Sequence, residues 1–160
     1  MMNAFSPGSA YFSEERMMIR NLARDFSQDV VRPIANKLDP EKQDIPQSLI
    51  EQMGELGFFG ILIPEEFGGL GLGAIEYCLV AEELAKGWMS VGSIIARGNS
   101  FYRAIPGRGE VRRREIEAMA KGRYLGAAAL SEPQTGSDLS SVSCRARREA
   151  GEWVITGNKY

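Results

Sequence analysis

The groups best placed to do chemistry lie in nine residues, Leu130-Ser131-Glu132-Pro133-Gln134-Thr135-Gly136-Ser137-Asp138. Pro133 and Gly136 put this stretch in a turn or loop rather than inside a regular element. The missing Cβ of Gly136 lets a ligand approach the backbone. Successive N–H groups around such a glycine can form a concavity for phosphate oxygens, and Ser137 adds a hydroxyl donor. No lysine follows Gly136, so this is not a Walker-type phosphate loop. On the residues alone two readings stand: a plain Pro/Gly turn closed by Ser137 or Asp138, and a cofactor loop.

Other sites are weaker. The chain has no histidine, and its two cysteines, Cys78 and Cys144, lie far apart without CxxC spacing. A zinc site and a Ser-His or Cys-His nucleophile are therefore excluded, and free thiols in a reducing compartment are expected. Glu82 and Glu83 are adjacent on a predicted helix and point about 100° apart, so they cannot share one catalytic site. Arg112-Arg113-Arg114 fan around a helix without interleaved aromatics, which predicts a solvated face rather than a nucleic-acid surface. The net charge of −2 agrees with that. The glycine-dense segment 68–73 lacks the flanking strand and crossover helix of a dinucleotide loop and reads as a tight connection between helices. No apolar run reaches the roughly 18 residues of a membrane span, and the start has no signal-peptide pattern. A cytoplasmic location is expected, with residues 1–12 a disordered lead-in.

The elements that would position the loop follow from periodicity. Ser13 with Glu14 and Glu15 opens a helix whose inward face is Ile19, Leu22, Phe26, Val30, Ile34 and Leu38, kinked at Pro33. Pro46 to Leu56 is a second helix, with Leu49, Ile50, Met53 and Leu56 inward and Gly57 as its stop. Phe58 to Pro64 reads as a buried extended link. Ala74 to Lys86 is a third helix. A fourth runs from Met89 to about Ala104, its small residues Gly92, Ser93, Ala96, Gly98 and Ser100 allowing close packing or leaving room for a ligand. Glu110 to Lys121 is a fifth, with Val111, Ile116 and Met119 inward. After Gly122 the pattern changes: Tyr124 to Ser131 is a weak strand candidate, and Val142–Arg148 with Trp153–Ile155 reads as a hairpin. The expected class is α+β: an all-α N-terminal domain over 13–123, then the beginning of a β domain over 124–160.

Three blocks in order resemble the acyl-CoA dehydrogenase family. They are the 130–138 loop, the segment Gly57 to Gly71, and Gly151-Glu152-Trp153-Val154-Ile155-Thr156-Gly157-Asn158-Lys159. The resemblance runs from about Phe12 to Tyr160. It implies that the β segment starts a barrel-like middle domain, that the chain is the N-terminal part of a longer protein, and that FAD is the cofactor. In that family a glutamate removes the α-proton of an acyl-CoA thioester and flavin N5 takes the β-hydride. The base would lie beyond residue 160, so no catalytic residue is assigned here and the piece alone should be inactive. Leu130 and Ser131 would meet the pyrimidine side of the flavin; Gly136 and Ser137 would meet the pyrophosphate, Ser137 also lying near the CoA. Ala128 stands where relatives often carry an aromatic FAD contact, and alanine cannot stack. Expected partners are acyl-CoA, an electron-transfer flavoprotein and further copies of the full-length chain.

The resemblance also puts the fourth helix at the far end of the acyl pocket. Ser93 and Arg97, four apart, share a helix face there. An arginine facing solvent is the simpler expectation, since a buried charge needs a partner; turned inward, it would suit a terminal carboxylate. Two alternatives to the dehydrogenase stand: a flavoenzyme on the same scaffold, such as an acyl-CoA oxidase or nitroalkane oxidase, and a non-catalytic helical interaction module.

Overall fold

In the computed structural model, which describes residues 12–160, Ser13 caps the first helix as its position predicts. Its Oγ accepts the Arg16 N–H at 3.3 Å, and Glu14 and Glu15 face the positive end of the dipole. Helix α1 (Glu14–Phe26) continues through a π-helical turn (Ser27–Val31) into α2 (Arg32–Leu38). The distortion expected at Pro33 is thus a widened turn just before it. Pro33 has no N–H for the Asp29 carbonyl, and its ring would crowd that oxygen; in the π turn the Arg32 N–H instead donates to Ser27 O, five residues back.

The inward face also differs from the predicted one. Ala23, Ser27, Val31 and Ala35 are buried, Leu22 is 48% exposed, and the other predicted positions are half-buried. The reason is the close approach of α4 (Ala74–Gly87), which favours small residues at the line of contact. Ser27 Oγ donates to the Glu83 carbonyl at 2.6 Å, and a Cβ on Gly87 would stand only 2.5 Å from Ser27 Oγ.

Helix α3 (Gln47–Glu55) buries Leu49, Ile50 and Met53 and ends at Gly57, whose φ of 75° suits glycine. The predicted extended link after it is instead a chain of turns. Gly60 and Ile63 donate to the carbonyls of Gly57 and Gly60, and the glycine loop folds back so that Leu70, Gly71 and Leu72 donate to Gly60, Ile63 and Ile61. That arrangement satisfies buried backbone without a strand partner while Phe58, Phe59, Ile61 and Ile63 enter the core.

The predicted fourth helix is broken into α5 (Met89–Ile94), α6 (Ala96–Asn99) and a 3₁₀ turn (Phe101–Ala104). Its glycines serve close packing: a Cβ on Gly92 would lie 2.7 Å from that of Ala85, and one on Gly98 only 2.3 Å from the Phe59 carbonyl oxygen. Asn99 holds the break. It accepts from Leu62 N at 2.8 Å and donates to Phe58 O and Ile95 O, so its buried amide is satisfied. In α7 (Gly109–Ala120) Ile116 and Met119 are buried, but Val111, in the first turn, is 68% exposed. Two apolar clusters result, one centred on Leu49, Met53, Phe59, Leu84, Val91 and Ile95, the other on Ile63, Tyr102, Ile116 and Met119.

The chain divides between Gly126 and Ala127 into two compact units. In the second, the strand predicted to reach Ser131 does not form; its alanines favour sheet weakly, and no described strand pairs with it. Strands β1 (Arg145–Glu149) and β2 (Glu152–Thr156) pair antiparallel with Glu149 opposite Glu152. The two linking residues, Ala150 and Gly151, have φ of 49° and 90°, as a type I′ hairpin turn requires. No helix among the described residues is long and apolar enough to cross a membrane.

Candidate functional site

Glu132 is the one buried residue of the unit Ala127–Tyr160. Its Oε2 accepts from Ser143 N at 2.6 Å, Ser143 Oγ at 2.8 Å and Gln134 Nε2 at 2.6 Å. Its Oε1 accepts from Cys144 N at 2.9 Å and pairs with Lys159 Nζ at 2.9 Å. Lys159 and the amides of Ser143 and Cys144 hold this carboxyl far below the usual carboxylate range, outweighing its desolvation. The loop is closed locally by Glu132 and Thr135, which exchange backbone hydrogen bonds. Nothing in the residue spacing announced this role, because four of the five donors, two of them backbone amides, come from residues 143, 144 and 159 at the two ends of the hairpin.

Around that buried carboxylate the predicted cofactor residues Ala128, Leu130, Ser131, Gly136 and Ser137 all lie exposed. The Leu130 carbonyl accepts from Lys159 Nζ at 3.0 Å and the Ser131 carbonyl from Tyr160 N at 3.1 Å. The N–H groups of Gly136, Ser137 and Asp138, and the hydroxyls of Ser131 and Ser137, have no partner among the described residues. No atom lies within 4 Å of where a Gly136 Cβ would stand, and its φ is not positive, so the backbone there is open but unstrained. Asp138 is turned away from these donors: it bonds the hydroxyls of Ser140 and Ser141 and the Ser140 N–H, which lower its pKa. What the loop presents outward is a run of hydrogen-bond donors, the chemistry a phosphate oxygen needs.

In the helical unit Ser93 and Arg97 line one shallow depression with Ile45, Met89, Ser90 and Ile94, although the break at Ile95 puts them on separate helices. Ser93 is exposed and Arg97 half-buried; its guanidinium reaches the Gly126 carbonyl at 3.5 Å, and no carboxylate pairs with it among the described residues. Glu83, in contrast, is buried against Arg20 (2.7 Å) and Lys86 (3.2 Å). Burial raises its pKa, but hydrogen bonds from Arg20 and Lys86 outweigh that and the net shift is downward. Glu76 is likewise lowered, chiefly by Arg16 at 2.6 Å. Glu82 is exposed and pairs with Lys86 at 2.7 Å. The arginine cluster is spent within the fold: Arg112 donates to Ile105 O, Arg113 to Glu117 and Glu66 O, and Arg114 pairs with Glu110.

Comparison with known proteins bears on the fold and the family. The family model described as acyl-CoA dehydrogenase, N-terminal domain, matches residues 13–123. The (2S)-methylsuccinyl-CoA dehydrogenase of Cereibacter sphaeroides is 38% identical over 95% of this chain, which spans 28% of that protein. The mitochondrial short-chain specific acyl-CoA dehydrogenase of Rattus norvegicus is 36% identical over 94% of this chain, which spans 37% of its length. Among solved structures, the FAD complex of an acyl-CoA dehydrogenase from Bacillus anthracis superposes with a TM-score of 0.80 at 31% identity, covering 97% of this chain and 27% of that one. With residues 13–123 matched by the family model and relatives 38% and 36% identical along nearly the whole of it, the chain belongs to the acyl-CoA dehydrogenase family.

Proposed function

We propose that this chain supplies the helical front and one FAD-holding loop of an enzyme that oxidises the Cα–Cβ bond of an acyl-CoA thioester to a trans-2-enoyl-CoA, with an electron-transfer flavoprotein as electron acceptor. The observation that carries the reading is the outward row of unpartnered donors at Gly136, Ser137 and Asp138, inside the loop that bears the family signature. These donors suit a diphosphate, and Ser131 and the Leu130 backbone suit the polar edge of a flavin ring. Ala128 offers only a methyl group there. FAD, when bound, would supply the hydride acceptor.

The proton must go to a base, and the acids here are poor candidates. A general base works best with a pKa near the working pH, whereas Glu76, Glu83 and Glu132 are each held low by a cation. The family resemblance assigns the base to the remainder of the enzyme, and the 160-residue piece alone is expected to be inactive. What this chain does is hold the cofactor and shape the slot. The test is to express the complete reading frame and add an acyl-CoA without oxygen: bleaching of the bound flavin supports the reading, and a protein purified without flavin sinks it. Oxygen consumption without an electron acceptor would assign the oxidase alternative.

Ser93 and Arg97 are proposed to face the far end of the acyl chain. Arg97 is half-buried with only a long bond to a carbonyl, so a carboxylate-ended acyl group could offer it a better, bidentate partner.

A further inference from the structure

The second unit has no apolar core: its one buried residue is an acid, while Trp153 and Ile155 of β2 are 68% and 71% exposed. The shape of the 130–138 loop must therefore rest on polar bonds, and five of them converge on the Glu132 carboxylate. We propose that Glu132 and Lys159 are positioning residues for the cofactor, holding the loop in the one form that leaves its donors free; the inference rests on the FAD reading above.

The geometry is specific. Glu132 ties the loop to the foot of the hairpin through the amides of Ser143 and Cys144. Lys159, just beyond the other end of the hairpin, supplies the counter-charge to the same carboxylate and also takes the Leu130 carbonyl. Tyr160 N takes the neighbouring Ser131 carbonyl. With both oxygens turned to residues 159 and 160, the polar groups left at Leu130 and Ser131 are donors: two N–H groups and one hydroxyl. The flavin carbonyls O2 and O4 and the ring nitrogens N1 and N5 are acceptors, N3–H being the one ring donor, so freeing those two carbonyls would present like to like along most of that edge. Removing either charge leaves the other without its partner and releases the loop at Leu130. A buried carboxylate with five donors is costly to disturb, yet the helical core lies in the other unit, so cofactor binding should suffer more than overall stability.

The test uses the complete protein with Glu132→Gln, Lys159→Met, Lys159→Arg and the Glu132→Gln/Lys159→Met double variant. Three quantities are read: FAD dissociation constant per folded molecule, thermal midpoint, and hydrogen exchange at the amides of Ser143, Cys144 and Tyr160. Glu132→Gln and Lys159→Met should each weaken FAD about tenfold or more and speed exchange at these amides. The double variant should be little worse than the worse single one, because both act through one pair. Lys159→Arg, which keeps the charge, should recover most of the affinity. Unchanged FAD affinity in the variants, with or without faster exchange, overturns the inference alone. A parallel fall in midpoint that accounts for all lost flavin also overturns it, since that is a purely structural role. A wild-type protein that takes up no FAD overturns this inference and the functional reading together.

Discussion

Ser137 offers a hydroxyl and an N–H with no competing partner, so its contribution to cofactor binding can be isolated. Ser137→Ala in the complete protein should weaken FAD retention by about 1.5–3 kcal/mol, the range for a hydrogen bond to a charged group, while leaving the thermal midpoint alone. Equilibrium dialysis against free FAD measures it, and full occupancy on dilution would remove Ser137 from the diphosphate site. Gly136 behaves differently from a glycine chosen for positive φ. The open space around it means that Gly136→Val should fold normally yet bind FAD worse than Ser137→Ala, because the new side chain blocks backbone approach. Arg97 is tested through substrate: Arg97→Leu should lower kcat/KM on a dicarboxylic acyl-CoA and spare a length-matched monocarboxylic one. Preference for the plain chain, untouched by the substitution, would send Arg97 back to a solvent-facing role.

At the scale of elements, α1 and α4 are held by small-residue contact and by a line of ion pairs, Arg16–Glu76 and Arg20–Glu83 with Lys86 behind. Glu76 and Glu83 have folded pKa values below the ordinary 4.5. Their contribution is therefore complete above that pH and drains away as pH falls through the folded values. Lys86 is raised above its ordinary 10.5, so its share is complete below that pH and is lost as pH rises through the folded value. The thermal midpoint should fall as pH drops below the ordinary carboxylate value of 4.5, and Glu83→Gln should flatten that fall while costing on the order of 1 kcal/mol at neutral pH, allowing for solvent screening of its partners. An unchanged slope would mean that the pair contributes nothing. A second element-scale test is Asn99→Ala. It strips partners from buried Leu62 N and Phe58 O and should cost at least about 1–3 kcal/mol by urea titration.

At the scale of the whole molecule, the two units differ in what makes them stable. Both apolar clusters belong to the helical unit, so residues 12–126 expressed alone should melt cooperatively by circular dichroism, and residues 127–160 alone should not. For the same reason the 160-residue chain by itself is expected to retain FAD weakly, since its loop brings donors but no buried apolar wall; a flavin band surviving gel filtration would contradict this. The sequence alone determined whatever depends on neighbours along the chain: the Ser13 cap, α3 and its Gly57 stop, the hairpin turn, the α+β class, and the family through three ordered blocks. What it could not determine depends on the distance between segments. The true inner face of α1 is chosen by how closely α4 approaches, which makes Ala23 and Ser27 central and leaves Leu22 outside. The broken helix after Met89 follows from the Phe59 backbone lying against Gly98, and from Asn99 reaching Leu62. The five donors around Glu132 come from residues two to twenty-seven positions away. No periodicity records such a meeting, because the bonds form only when the hairpin folds back onto the loop.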